Sequence, residues 1–334
     1  MFRSKATCRL TGVLSTLLLG GVFLFPGAAD AADKVTFRLG WLKTATTAAP
    51  YYYALEKGLF AAQGLDVSVL EGQGSATNVK LVAAGDTMIA SADLGTAAIA
   101  ITKGIPIRAV FGEMQSNPMA VISLGANPVK TAKEMEGKAI LGSAASSYTK
   151  FLLLLCKKSG ADCKKINLRL TTPPFEPVLL SGKADAMLGY FTDNVPKLAA
   201  TGASVHHFLY STYGVDIMSN GLIVNEDTIK NRADILRRFL VAVSQAWQVA
   251  KERPDEVVDA WIKVLGRGDK ATYSQILKNA VSILHTKNSA AKPVGWMAPA
   301  DWDNLQKTLI DAGELNTSIP IDRYFSNDFV PAAS

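Results

Sequence analysis

GWLKTATTAAPYYYALEKGLFAAQGLDVSVLEGQGSATNVKLVAAG, residues 40–85, decides the fold class of this chain. Its first glycine ends an alternating, β-branched and aromatic run over 35–40, which predicts a strand. A threonine-rich loop follows, then a helix over 50–59, opened by Pro50 and closed near Gly58. A second strand covers 65–70, and the loop Gly72-Gln73-Gly74-Ser75 leads into a helix over 76–84 that Gly85 stops. Polar loops thus fall where a strand hands over to a helix, and in an open α/β sheet small ligands bind at such points. No nucleophile, metal cluster or acid–base pair accompanies them, so the stretch suits holding a molecule rather than transforming one.

Outward from this stretch the pattern repeats. Strands are expected over 87–92 and 107–111 with a helix over 95–103 between them, a βαβαβαβ order that implies parallel strands and right-handed crossovers. A second α/β unit has strands over 120–124, 138–142, 166–171, 184–190 and 205–209, and helices over 148–157, 174–181 and 195–200. A strand over 221–224 returns elsewhere, and helices over 233–251, 254–265, 270–284 and 299–311 complete the chain. The expected fold is α/β with two lobes: 32–115 plus 220–334 form the first, 116–219 the second. The chain crosses near 115–119 and 213–221, and two such crossings make a hinge over a ligand cleft.

The 334 residues, 49% of them hydrophobic, suffice for about two domains. The formal charge of +6 comes from scattered residues, without the basic run of a nucleic-acid track. Arg3, Lys5 and Arg9, an apolar segment over 10–25, Pro26 and the Ala29-Asp30-Ala31 motif read as a secretory signal peptide (1–31) cleaved after Ala31. Cleavage removes three basic residues and one acidic one, leaving +4. The segment is shorter than the roughly 20 residues of a membrane span. Cys8 leaves with the leader; it sits in the positive region rather than at the cleavage site, which argues against a lipid anchor. Cys156 and Cys163 remain. In an oxidising compartment they are either a local disulfide or two free thiols, and spacing alone does not decide.

The order of several motifs resembles the periplasmic substrate-binding proteins of ABC transporters, in the group serving sulfonates, nitrate, taurine and thiamine-precursor pyrimidines. Pro50-Tyr51-Tyr52-Tyr53-Ala54, Lys57-Gly58-Leu59-Phe60, Gly64-Leu65-Asp66-Val67, Gly72-Gln73-Gly74, Gly85-Asp86 and Lys103-Gly104-Ile105-Pro106-Ile107 carry the likeness in the first lobe. Glu136-Gly137-Lys138 and Gly182-Lys183-Ala184-Asp185-Ala186 carry it in the second, and Gly295-Trp296-Met297 with Trp302 near the C-terminus. The resemblance covers essentially the whole mature chain. It implies a type II periplasmic-binding fold, a small-molecule solute, an ABC permease in the inner membrane as partner, no cofactor and a monomer. Gly189-Tyr190-Phe191-Thr192-Asp193-Asn194 is similar to the thiamine-pyrimidine branch, with acid and amide in the reverse order. Fungal relatives that make the pyrimidine carry a cysteine cluster and a reactive histidine; this chain has Ala48-Ala49 before Pro50 and no such cluster.

The residues offer these binding groups. Trp41 can stack on a heterocycle or belong to the core. Thr46, Thr47 and Thr44 can bind or cap the next helix; Tyr51 sits in the aromatic motif. Gly72, Gln73, Gly74 and Ser75 can present backbone N–H groups and a helix terminus to an anion, or form a plain turn. Gly72-x-Gly74 with Thr77 and Asp93 is also a partial dinucleotide fingerprint, but its third glycine is missing. Asp93 faces a cleft or caps a helix. Gln115, Ser116 and Asn117 lie at the first crossing, where both lobes can converge. Ser143, Ser146, Ser147 and Tyr148 mirror the Gly72 loop across the cleft. Tyr190, Phe191 and Asp193 complete the set, with Asp193 able to accept from an exocyclic amine or ring N–H. His206 and His207 alternate faces of a strand and cannot share a metal.

These groups point to a binding protein for a small heteroaromatic solute, with an anionic sulfonate, taurine or nitrate as the alternative. An exported enzyme on a similar molecule is disfavoured by the lack of a recognisable nucleophile motif. A sensor domain would need a transmembrane or signalling segment, and none is expected in the residues through Ser334. No nucleic acid and no metal is expected.

Overall fold

The computed structural model describes Thr7 and residues 31–332. The signal-peptide features at Arg3, Lys5, Cys8, Arg9, 10–25, Ala29 and Asp30 lie outside the described residues. β1 (Asp33–Arg38) leads through α1 (Ala48–Glu56) and α2 (Leu59–Ala62) to β2 (Leu65–Leu70), α3 (Ser75–Ala84), β3 (Ile89–Asp93), α4 (Leu94–Thr102) and β4 (Ile107–Gly112). The second set is β5 (Met119–Leu124), β6 (Ala139–Gly142), α5 (Ser147–Lys150), α6 (Leu152–Ser159), β7 (Asn167–Leu170), α7 (Glu176–Leu180), β8 (Ala186–Tyr190), α8 (Asn194–Ala199) and β9 (Val205–Leu209). β10 (Asn220–Asn225) precedes α9 (Glu226–Asn231), α10 (Ala233–Glu252), α11 (Pro254–Leu265), α12 (Lys270–Ser282) and α13 (Pro299–Asp311).

Two five-stranded sheets result, in the orders β2-β1-β3-β10-β4 and β7-β6-β8-β5-β9. β1 runs parallel to β2 and β3, whereas β10 runs antiparallel to both β3 and β4. The expectation of parallel strands therefore holds for the first four, but β3 and β4 are not neighbours. The returning strand fills the slot between them, and Gly221 lets it in: a Cβ there would stand 2.6 Å from the Phe111 carbonyl oxygen and 2.7 Å from Leu94. β5 is likewise antiparallel to β8 and β9, so each sheet is mixed.

Helix boundaries shift where the backbone turns. The helix expected over 50–59 starts at Ala48 and breaks at Gly58, whose φ of 68° is left-handed, giving α1 and α2. The helix expected over 148–157 breaks at Phe151 into α5 and α6. The short α9 was not expected; Asn225 caps it by accepting from Thr228 N at 2.7 Å. α10 packs as an amphipathic helix, its buried face formed by Leu236, Phe239, Leu240, Val243, Ala246, Trp247 and Ala250 at helical spacing. β3 is buried throughout, its Ser91 and Asp93 included, and so is all of β5 but its last residue.

Cys156 and Cys163 form a disulfide, with Cα atoms 5.7 Å apart, between α6 and the turn after it. It closes a short loop, so replacing both cysteines by serine is expected to lower unfolding free energy by about 2 kcal/mol through restored freedom of the unfolded chain. Urea denaturation checks this. An unchanged midpoint would show that the bridge adds nothing to stability.

Candidate functional site

The chain crosses between the sheets twice, and the two crossing segments are hydrogen-bonded together. Glu113 N and Met114 N donate to Asn220 O at 2.8 and 2.9 Å, Ser219 N donates to Met114 O at 3.0 Å, and Asn117 Nδ2 donates to Val215 O at 2.6 Å. In front of these crossings lies a cavity of about 350 Å³. Its walls lie at the C-terminal ends of strands: Trp41, Leu42 and Thr44 to Thr47 after β1, Gly74 and Ser75 after β2, Ser146 to Tyr148 after β6, Pro173 to Pro177 after β7, and Tyr190, Asp193, Asn194 and Lys197 after β8. Met114 and Asn220 form the floor at the crossings, and Tyr273 reaches in from α12. Trp261 fixes two of these pieces, donating from Nε1 to Lys43 O at 2.8 Å and meeting the Tyr273 ring edge-on at 4.5 Å between centroids.

The two halves meet around the cavity. Thr46 Oγ1 donates to Thr192 Oγ1 at 3.0 Å, Asn279 Nδ2 to Thr192 O at 3.2 Å, and Ala76 N to Ala145 O at 3.4 Å. Tyr190 OH donates to Asn220 Oδ1 at 3.2 Å and shares a hydrogen bond of 2.8 Å with Ser147. The walls are strongly aromatic. Tyr148 stands edge-on to Trp41, Phe175 and Tyr190, at centroid distances of 6.4, 6.5 and 5.8 Å. Burial pushes both tyrosine hydroxyls well above their ordinary range, so they stay neutral donors.

The charged lining residues are Glu176, Asp193 and Lys197, a formal −1. Lys197 Nζ lies 2.9 Å from Asp193 Oδ2, one helical turn apart. Burial raises the Asp193 carboxyl while Lys197 pulls it down; burial works against the lysine charge, but Asp193 and Glu176 outweigh it and raise its pKa. Glu176 Oε1 accepts from Asn194 Nδ2 at 2.9 Å, and Asn194 Oδ1 accepts from Tyr190 N at 2.9 Å. The whole turn after β8 is therefore pinned.

Of the residues singled out in the sequence, Trp41, Thr44, Thr46, Thr47, Gly74, Ser75, Ser146, Ser147, Tyr148, Tyr190 and Asp193 line the cavity. Others are placed elsewhere, each for a local reason. Tyr51 is buried in the core and donates to Glu113 at 2.5 Å. Gly72 lies against the β1 end, donating to Trp41 O at 2.9 Å, and Gln73 points to solvent. Asp93 caps α4, accepting from Thr96 N at 2.8 Å. Gln115 is tied to Trp296 O at 3.0 Å and to Ser289 Oγ at 3.1 Å. Asn117 holds the crossing, and half-buried Ser116 beside it stays off the wall. Ser143 accepts on its carbonyl from Ser146 Oγ at 2.8 Å, one turn before the wall begins. Phe191 faces the other way and stacks on His207 at 6.2 Å. Sequence reasoning missed Phe175, Glu176, Asn194, Lys197, Asn220 and Tyr273. The i, i+4 spacing of Asp193 and Lys197 was a readable signal for one of them.

Behind the floor, fully buried Glu113 receives Tyr51 OH on Oε1 and Ser91 Oγ on Oε2. Burial pushes its carboxyl from 4.5 up to about 7, against the pull of those two hydrogen bonds. The native state thus holds a proton that the unfolded chain has released between pH 4.5 and about 7. This contribution is full below pH 4.5 and is lost as pH rises through about 7, at roughly 1.4 kcal/mol per pH unit within the window. Glu113→Gln keeps the hydrogen-bonding shape without the titration. Its unfolding free energy is expected to vary less than wild type across this window, as urea titrations at stepped pH would show; parallel curves would contradict the assignment.

The sequence profile of the family described as NMT1/THI5 like matches residues 45–257. The chain belongs to this family. Among curated relatives it is 22% identical over 317 residues to the riboflavin-binding protein RibY of Chloroflexus aurantiacus, covering 92% of this chain and 89% of that one. It is 23% identical to the formylaminopyrimidine-binding protein of Halalkalibacterium halodurans, covering 83% and 84%. The alkanesulfonate-binding protein SsuA of Xanthomonas axonopodis pv. citri, solved bound to MOPS, superposes with a TM-score of 0.66 at 13% identity, covering 85% and 94%. A desulfurization enzyme, DSZB, shares the fold at a TM-score of 0.57 and 16% identity, covering 89% and 97%. The NMT1/THI5-like chain is thus a mixed α/β protein with the two-sheet architecture of periplasmic binding proteins.

Proposed function

We propose that this NMT1/THI5-like protein is the solute-binding component of an ABC importer. Its leader directs it to the periplasm and is removed on the way; there it captures a small heteroaromatic solute of the thiamine-precursor pyrimidine kind and delivers it to an inner-membrane permease. The observation that carries the reading is the cavity itself: aromatic on several sides, formally negative, with its lysine engaged by Asp193. Flat rings meeting Trp41, Tyr148, Phe175 and Tyr190 gain about 0.5–1.5 kcal/mol per aromatic contact beyond the area they bury. A solute touching both halves favours the arrangement in which they meet, so binding shifts the population toward closure. The relatives that bind riboflavin and formylaminopyrimidine support the same class. The protein acts as a monomer, without catalysis or a cofactor.

An anionic sulfonate, taurine or nitrate is the second reading, favoured by the N-termini of α3 and α5 at the wall and by the alkanesulfonate-binding neighbour. Two observations weigh against it: Ala76 N is engaged by Ala145 O, and the net wall charge repels an anion. The test is mass spectrometry of small molecules released on denaturing the protein purified from the periplasm, with each recovered compound re-incubated to detect turnover. A released heterocycle recovered unchanged is expected. A sulfonate would support the second reading, and turnover would support an enzyme. Trp41→Ala is expected to weaken heterocycle binding about tenfold; an unchanged Kd by calorimetry would place the selecting contact elsewhere.

A further inference from the structure

Lys197 stands on the cavity wall with three N–H donors, of which one goes to Asp193 Oδ2 at 2.9 Å. Asp193 is 9% exposed and Lys197 24%, so both heads are largely shielded while still reaching the cavity. The lysine therefore has donors to spare, and the carboxylate has lone pairs to spare, side by side on one wall. Tyr273, from the other half, lines the same cavity and lies close enough to Lys197 for its phenol to bear on the lysine's charge. Glu176, the third charged wall residue, is engaged by Asn194.

Resting on the heteroaromatic reading, we propose that Lys197 is a specificity-determining residue: with Asp193 it reads the edge of the solute ring. The ammonium donates to an acceptor on that edge, a ring carbonyl or ring nitrogen, while the carboxylate accepts from the neighbouring ring N–H or exocyclic amine. Bond lengths put such adjacent acceptor and donor atoms about 2.2 Å apart, against 2.9 Å between the two protein groups, so the two hydrogen bonds converge slightly on the ring edge. A lactam or amidine edge satisfies both without altering the cavity charge. An anion taking a spare Lys197 donor would sit beside Asp193 and Glu176, whose like charges oppose it in a shielded site. The pair thus selects the donor–acceptor edge, and the aromatic walls select only flatness.

Calorimetry with two matched probe pairs tests this: riboflavin against 3-methylriboflavin, and 4-aminopyrimidine against 4-(dimethylamino)pyrimidine. Wild type is expected to prefer the N–H member of at least one pair by 10-fold or more. Lys197→Met is expected to weaken that member about 10- to 100-fold and the methylated member far less; Lys197→Arg, which keeps charge and donors, should recover part of the loss. Equal binding of both members to wild type, or an equal loss of both in Lys197→Met, overturns the proposal. If Lys197→Met does not fold, judged by near-ultraviolet circular dichroism, the wild-type preference and the Lys197→Arg variant decide. Binding of an alkanesulfonate with no binding of any heterocycle sinks the heteroaromatic reading as well. Heterocycle binding indifferent to methylation sinks this inference alone.

Discussion

Gly74→Val is expected to weaken solute binding by about 100-fold or more while both sheets remain folded. Gly74 precedes α3 with φ 108° and ψ 160°, a backbone that side chains rarely adopt. A Cβ there would stand 2.5 Å from the carbonyl oxygen of Ala145, 2.9 Å from its carbonyl carbon and 3.0 Å from its Cβ. Ala145 belongs to the loop after β6, on the opposite half, so the collision exists only where the halves meet. Two effects therefore separate: a backbone strain of roughly 1–3 kcal/mol borne in any arrangement, and a clash borne only on closure. Calorimetry reads the loss of affinity, and a thermal melt of the unliganded variant reads the smaller loss of stability. Retained affinity would mean that the solute does not need this contact between jaws.

Gly72→Ala should act on the fold instead, two residues away on the same loop. A Cβ at Gly72 would lie 1.9 Å from Leu39 O and under 3 Å from the Gly40 carbonyl, all backbone atoms that cannot rotate aside. The loops after β1 and β2 would have to separate, breaking the Gly72 N to Trp41 O hydrogen bond of 2.9 Å. The expected cost is roughly 3–5 kcal/mol, in the tail of single substitutions, read as a lowered urea midpoint. A midpoint within error of wild type would contradict the packing described here. The two glycines look alike in sequence, yet substitution of one is expected to act on closure and of the other on folding.

The pattern of strands, helices and intervening polar loops was legible because periodicity and glycine punctuation are local signals. From it followed most strands of both sheets, and with their loops the cavity residues Trp41, Ser146 to Tyr148, Tyr190 and Asp193. What was not legible depends on long-range pairing. Nothing in the segment around Gly221 says that it inserts between β3 and β4, and that insertion brings Asn220 to the cavity floor and to Tyr190. Tyr273 sits in a helix whose local pattern marks only amphipathicity; its place in the wall comes from packing on Trp261. Gln115 and Asn117 show the converse. Their polarity at the crossing suggested binding, but it is spent on holding the two crossing segments and the α13 approach in register. A sequence cannot separate a polar group turned toward a ligand from one turned toward its own backbone.

On the proposed function, the cavity holds a heteroaromatic solute by closing two halves over it. Small-angle scattering of the purified protein tests this, titrated in parallel with a heterocycle recovered from it or drawn from a pyrimidine and flavin set, and with taurine and an alkanesulfonate. A saturable fall in the radius of gyration with the heterocycle, absent with the sulfonates and absent in Gly74→Val, is the result predicted. Compaction by the sulfonates alone would contradict it.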